Sequence, residues 1–196
     1  EEANLAIAIA VRLLNPGIPV IARARTPSVA ANMASFGTDH IINPFARFAE
    51  HLALAVAAPE RFRLIELLTA LPQTPMPEPH RPPAGRWILC GYGRFGHLLA
   101  SHLRPAGIEL TIIEPESADS GSLPTIRGYG TEAETLLQAG IAEASGIIAG
   151  SNDDVNNLSI AVTANELKPP QFVVARQNHS VNTPLFAAYG ADFTMV

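Results

Sequence analysis

Apolar residues along this chain change period in a regular order. Residues 2–14 carry Leu5, Ile7, Ile9, Val11, Leu13 and Leu14 on most faces of a helix, which predicts a largely buried helix stopped by Asn15-Pro16-Gly17. Residues 18–24 form a short β-rich run of the kind found in buried parallel strands. Thr26-Pro27-Ser28 starts a second helix through about Phe36, with Pro27 tolerated in the first turn. Gly37 ends that helix, and residues 40–43 read as another strand. Residues 46–71 read as helix, kinked or split at Pro59. Their apolar positions are wider than one narrow stripe, which suits a core helix and equally a crossover or dimer contact.

From Arg86 onward, strands at residues 87–90, 108–113, 123–127 and 146–149 alternate with helices at 95–103 and 132–139. A helix–strand–helix–strand pattern then runs from Asn152 to the end. Such alternation predicts a parallel sheet with right-handed crossovers.

That last pattern repeats the first. Residues 1–43 align without a gap onto residues 154–196 at a constant offset of 153. Asn4-Leu5 falls on Asn157-Leu158, Ala22-Arg23 on Ala175-Arg176, and Gly37-x-Asp39 on Gly190-x-Asp192. Matches spread over a whole segment imply two copies of one supersecondary unit. The expected fold is α/β, a Rossmann-type three-layer parallel sheet, complete in the second unit and preceded by a partial unit of the same fold. The expected divisions are residues 1–45 as the back part of a first unit, 46–71 as crossover or interface helices, 72–84 as a proline-rich semi-rigid linker, and 85–196 as a complete domain. A half sheet leaves an open apolar edge and face. Residues 1–71 are therefore expected to pack against a neighbouring chain or their own downstream domain, and the chain to be a fragment of a longer tandem-domain protein.

Composition narrows the function classes. The formal net charge of −5 gives no basic footprint for nucleic acid. The longest apolar run, residues 5–14, is interrupted by Arg12 and too short to cross a bilayer, and no signal-peptide pattern opens the chain, so soluble material is expected. The single Cys90 excludes an intrachain disulfide. The six histidines form no metal set; His97 and His102 are five apart on one helix, off the spacing that puts two ligands on one face. Asp153 and Asp154 read as solvated acids favourable at a helix N-terminus. No catalytic triad arrangement is legible, and no metal site is expected.

The chemistry concentrates in Gly91-Tyr92-Gly93-Arg94-Phe95-Gly96, a G-x-G-x-x-G that follows an apolar strand and opens an amphipathic helix. The next strand ends in Glu114, about 20 residues on, as the dinucleotide fingerprint requires. Gly91 allows the tight turn, Gly93 the approach of backbone to pyrophosphate, and Gly96 the packing of helix on strand. The helix N-terminus offers unpaired N–H groups to phosphate. Glu114 is suited to ribose hydroxyls and repels a 2′-phosphate. Arg94 either reaches the phosphates or covers the surface. The stretches Gly128-Tyr129-Gly130-Thr131, Gly150-Ser151-Asn152-Asp153-Asp154 and Arg176-Gln177-Asn178 follow later strands and should converge on the same crevice. Arg176 is the expected functional cation, placed for phosphate or for an acid such as Asp153 or Asp154.

These residues resemble the regulator of K+ conductance (RCK) domain, also called the TrkA N-terminal domain. The resemblance rests on residues 87–96, on Gly128-x-Gly130-Thr131 with Leu136 and Ala139-Gly140-Ile141, on Asn152-Asp153-Asp154 with Asn157-Leu158, and on Ala175-Arg176 with Gly190-Ala191-Asp192. Residues 1–43 resemble the back half of a second such domain. One departure is Tyr129, where many members carry an acid. The resemblance implies a cytosolic regulatory module at the inner face of the cell membrane, part of a potassium channel or potassium-coupled transporter. It implies binding of NAD(H) or an adenine nucleotide (AMP, ADP or ATP), pairing as dimers or larger rings, a membrane ion-conducting partner and no catalysis. By matching position the contacts are Gly91, Gly93, Arg94, Phe95, Glu114, Thr131, Ser151 and Arg176, with Tyr92, Gly96 and Gly130 in the same loops. Calcium-binding members use acids after the fifth strand, where this chain has Gln177-Asn178-His179. The alternative from another class is a small NAD-dependent oxidoreductase. It lacks a candidate Tyr/Lys or His/Asp pair, and the only lysine, Lys168, lies in a turn away from the expected crevice.

Overall fold

The computed structural model describes residues 2–71, 81–116, 119–169 and 172–195. Most of the proline-rich stretch expected as a linker lies outside the described residues. The chain divides into two compact units, residues 1–50 and 51–196.

In the first unit, helix α1 (Glu2–Leu14), strand β1 (Ile21–Arg23), helix α2 (Pro27–Ser35) and strand β2 (His40–Ile42) follow one another, and β1 pairs with β2 in parallel. Ala8, Val20, Ala24, Met33 and Phe45 are buried. The expectation of a largely buried first helix is corrected: Ala8 alone is buried in α1, while Leu13 and Leu14 are 77% and 85% exposed. A two-stranded sheet is too narrow to cover a helix that is apolar on most faces.

Helix α3 (Pro44–Ala57) leads out of this unit, and α4 (Pro59–Thr69) follows the break at Pro59. Both helices carry proline in their first turn, where the missing N–H costs nothing. In the second unit β3 (Arg86–Cys90), α5 (Arg94–Leu103), β4 (Glu109–Ile113), β5 (Thr125–Ile126), α6 (Ala133–Gln138), β6 (Gly146–Ala149), α7 (Asp154–Leu167), β7 (Phe172–Arg176), a 3₁₀ turn (Ser180–Asn182), α8 (Thr183–Ala188) and β8 (Phe193–Met195) build one sheet. Its strands are all parallel, in the order β5-β4-β3-β6-β7-β8. The chain leaves β3 toward β4 on one side and returns to its other side as β6, so the order reverses between β3 and β6. Open α/β sheets bind ligands at that point.

Alternating side chains feed two core layers. Ile88, Cys90, Ile113, Ile147, Val173 and Ala175 join Leu136, Ile160 and Phe186 on one face. Toward the other face point Trp87, Leu89, Ile112, Ile148 and Val174, all buried, with Phe95, Leu99 and Leu103 buried on α5. Trp87 is 1% exposed, its ring 5.5 Å from that of Phe172, and its indole N–H donates to the Pro83 carbonyl at 2.9 Å. The apolar width of α4 is partly accounted for: Phe62 is buried with its ring 6.0 Å from Phe193, while Leu64, Ile65, Leu67 and Leu68 stay exposed.

The two copies of the repeat share atomic detail at the offset of 153. Ile21 pairs with His40 as Val174 pairs with Phe193. Asp39 accepts the Val20 N–H at 2.7 Å, and Asp192 accepts the Val173 N–H at 2.8 Å. Gly37 and Gly190 have φ of 74° and 78°, a left-handed conformation that favours glycine at a helix end. Asn4 donates to the Arg23 carbonyl at 3.1 Å, and Asn157 to the Arg176 carbonyl at 2.7 Å. Arg12, in the place of Asn165, donates to Asp39 at 2.6 Å and ties the end of α1 to the α2–β2 turn. Among the described residues no helix is long and apolar enough to cross a membrane.

Candidate functional site

The loop after β3 is shaped by glycine. Gly91 has φ of 97°, and a Cβ there would come within 3.3 Å of the Gly150 carbonyl, so the loops after β3 and β6 touch through backbone. A Cβ on Gly96 would lie 2.3 Å from the Gly91 carbonyl oxygen, so only glycine lets α5 start this close to the loop. A Cβ on Gly93, in contrast, meets nothing within 4 Å. Gly93 is the N-cap of α5 and supplies no side-chain cap. The first N–H groups of α5 are therefore left for an anion arriving through that open space.

Tyr92, between the glycines, is buried, and its ring lies 4.0 Å from that of His97. Its N–H donates to Glu114 Oε2 at 2.6 Å, so the acid at the end of β4 already touches the glycine loop. Arg94 is the first residue of α5 and exposed. Phe95 is buried, and the guanidinium carbon of Arg176 lies 5.7 Å from its ring centroid, within cation–π range. Arg176 donates from Nη1 to Asn152 Oδ1 at 2.6 Å. Ser151 donates its N–H to Asn157 Oδ1 at 2.9 Å, and its hydroxyl donates to the Asp153 carbonyl. The structure thus brings Gly91, Tyr92, Gly93, Phe95, Glu114, Ser151 and Arg176 together at the carboxyl ends of β3, β4, β6 and β7.

Gly130 and Thr131 lie slightly apart. A Cβ on Gly130 would sit 2.5 Å from Cys90 Sγ, which makes Gly130 a packing position beneath the loop. The Thr131 carbonyl accepts from Thr163 Oγ1 at 3.5 Å. Tyr129 is 58% exposed beside them. Burial pushes the Cys90 thiol up to about 12, far from the thiolate range a nucleophile needs. Cys90 should therefore resist a disulfide-exchange reagent such as DTNB in the native protein and react fully in urea. Rapid native labelling would show that the β3 end opens.

Two side chains matter more than their sequence suggested. Asp153 is the N-cap of α7, accepting the Asn156 N–H at 2.8 Å, as a helix-start acid should. Asp154, expected to be solvated, is only 5% exposed. Burial alone would raise its pKa, but hydrogen bonds from Asn178, Asn182 and His179 outweigh this and hold the carboxyl below its usual value. Asn157 is fully buried and makes three bonds, to Ser151 N–H, Ser151 O and Arg176 O. A readable signal existed for Asn157, because Asn4 occupies the same place in the first copy. Among the described residues no group of three or more His, Cys, Asp or Glu could hold a metal ion.

With this geometry in place, residues 87–196, more than half of the chain, match the TrkA-N domain. The chain belongs to the TrkA-N domain family. Over 113 residues it is 28% identical to potassium channel protein 1 of Methanocaldococcus jannaschii, a match covering 54% of this chain and 34% of that protein. Over 111 residues it is 29% identical to the Trk system potassium uptake protein TrkA homolog of Methanothermobacter thermautotrophicus, covering 54% of this chain and 51% of that protein. The chain spans about half or less of the length of these TrkA-N relatives. Among solved structures, GsuK bound to ADP superposes with a TM-score of 0.69 at 25% identity, over 97% of this chain and 44% of that one. The GsuK RCK domain, at 18% identity with a TM-score of 0.69 over 98% of this chain and 56% of that chain, shares the fold.

Proposed function

We propose that the second unit binds NAD(H) or an adenine nucleotide across the β3–β6 crevice. In this reading the chain is a cytosolic regulatory module of a potassium channel or potassium transport system at the inner face of the membrane. The observation that carries it is the open, uncapped N-terminus of α5 at Gly93, flanked by Glu114 and Arg176. That GsuK has been crystallised with ADP, and that the relatives are potassium channel and uptake proteins, supports it.

Phosphate oxygens would take the first N–H groups of α5, with Arg94 and Arg176 as neighbouring cations. Glu114 would accept the ribose hydroxyls and exclude a 2′-phosphate, sharing its carboxylate with the Tyr92 N–H. Gly130, Thr131 and Ser151 would border the ligand. For regulation, the nucleotide must bind one arrangement of domains more tightly than another, because equal affinity shifts nothing. The exposed Leu64, Ile65, Leu67 and Leu68 on α4 support a homodimeric or larger assembly, and the potassium channel and uptake relatives support a membrane ion-conducting partner.

Calorimetric titration with NAD, NADH, ATP, ADP and AMP should give saturable binding by at least one. Glu114→Ala should weaken it about tenfold, the size of a lost hydrogen bond to a charged group. Binding by none of them would end the nucleotide reading. NADH turnover over a panel of small carbonyl compounds should stay at background, whereas steady turnover would favour the oxidoreductase alternative.

A further inference from the structure

We infer that Asp154 is a positioning residue, which clips the loop after β7 onto the start of α7 and so aims Arg176 at the nucleotide crevice. This rests on the nucleotide reading above. Asp154 Oδ1 accepts the Asn178 backbone N–H at 2.6 Å and Asn178 Nδ2 at 2.9 Å. Its Oδ2 accepts the His179 N–H at 3.0 Å and Asn182 Nδ2 at 2.7 Å. All four donors belong to one loop, 24 to 28 residues away in sequence. An ionised carboxylate has about four acceptor directions, so this one is filled.

The loop it holds begins two residues after Arg176. The Arg176 carbonyl is fixed by Asn157, its guanidinium reaches Asn152, and that guanidinium lies over Phe95 at the opening of the glycine loop. The Asn178 side chain also leans on the Ser151 carbonyl at 3.5 Å. Asp154 and Asn157 therefore join the loops after β6 and β7 into one frame around a single cation.

The internal repeat keeps the Asn157 and Arg176 positions of this frame and changes the residue types of two donors. The first unit keeps Asn4 and Arg23 in the places of Asn157 and Arg176, and forms the same strand register. It has Arg25 and Val29 where the second unit has the amides Asn178 and Asn182.

The test is a double-mutant cycle, read by calorimetry with ADP and with adenosine as probes. Asp154→Asn removes the charge and sets an amide NH2 against two of the four donors without changing size. It should weaken ADP about tenfold, the loss of one charge-assisted contact, while adenosine affinity stays within about twofold. On the Arg176→Ala background it should add less than about twofold, because the clip acts through Arg176. Equal losses for ADP and adenosine, full additivity with Arg176→Ala, or unchanged ADP affinity would each overturn the inference and leave the nucleotide reading standing. Failure of the unsubstituted protein to bind ADP or any other nucleotide would overturn both. If Asp154→Asn does not fold, Asn182→Ala, which removes one donor and keeps the carboxylate, carries the same cycle, with the same supporting and overturning results.

Discussion

Gly96→Ala is expected to abolish nucleotide binding by the second unit and to destabilise it by about 1–3 kcal/mol, the usual cost of overpacking. The new methyl would lie 2.3 Å from the Gly91 carbonyl oxygen and 3.2 Å from its carbon. Those are backbone atoms of a loop pinned by the Gly91 N–H to Ile113 O bond at 2.9 Å, so they cannot swing aside as a flexible side chain would. Helix α5 must move off the loop, and its N-terminal N–H groups leave the crevice with it. Gly93→Ala is the informative contrast, since a Cβ there meets nothing. It should leave stability within about 0.5 kcal/mol, as for surface changes, while its methyl enters the space a phosphate would use. Urea unfolding and ADP titration of both variants check this. Equal stability of the two would show that the close approach at Gly96 is not rigid.

The second large effect is expected at Asn157. Asn157→Ala removes three hydrogen bonds from a residue with no exposed surface and should cost about 3–5 kcal/mol, because buried backbone partners are left unpaired. Its repeat partner gives an internal control. Asn4→Ala removes one exposed bond, to the Arg23 carbonyl, and should cost about 1 kcal/mol or less. Denaturation of both variants separates a residue that merely ties helix to strand from one that also holds the loop after β6. Similar costs at the two positions would mean that the Ser151 contacts contribute little.

The parts of the fold legible in the sequence were those with local causes. The glycine loop could be read because a positive φ at Gly91 and the near contact at Gly96 each demand that residue type in a strand–loop–helix context. Strand ends were less legible. Only Ile21–Arg23 of the run 18–24 pairs, because β2 offers three residues opposite it. Likewise Thr125–Ile126 is all that pairs within 123–127, since β5 is an edge strand with β4 as its one neighbour. The burial of α1 is not legible in the sequence, because apolar composition says nothing about how wide a surface the neighbouring sheet provides. Asp154 was hidden for another reason. An acid at a helix start looks the same whether water or protein amides fill its oxygens, and here the choice depends on a loop more than 20 residues further on. The link from Glu114 to the Tyr92 N–H was half legible: the spacing placed the acid at the crevice, but not its bond to the loop.

The nucleotide's place on the second unit is the central claim. Amide chemical-shift mapping of the chain during titration with ADP tests it most directly, because it reports location without assuming an activity. The expected result is a saturable set of shifts centred on Gly91 to Phe95, Glu114, Thr131, Ser151 and Arg176, with α2 and β2 of the first unit unchanged. Shifts confined to other surfaces, or none at saturating ADP and NAD, would contradict it.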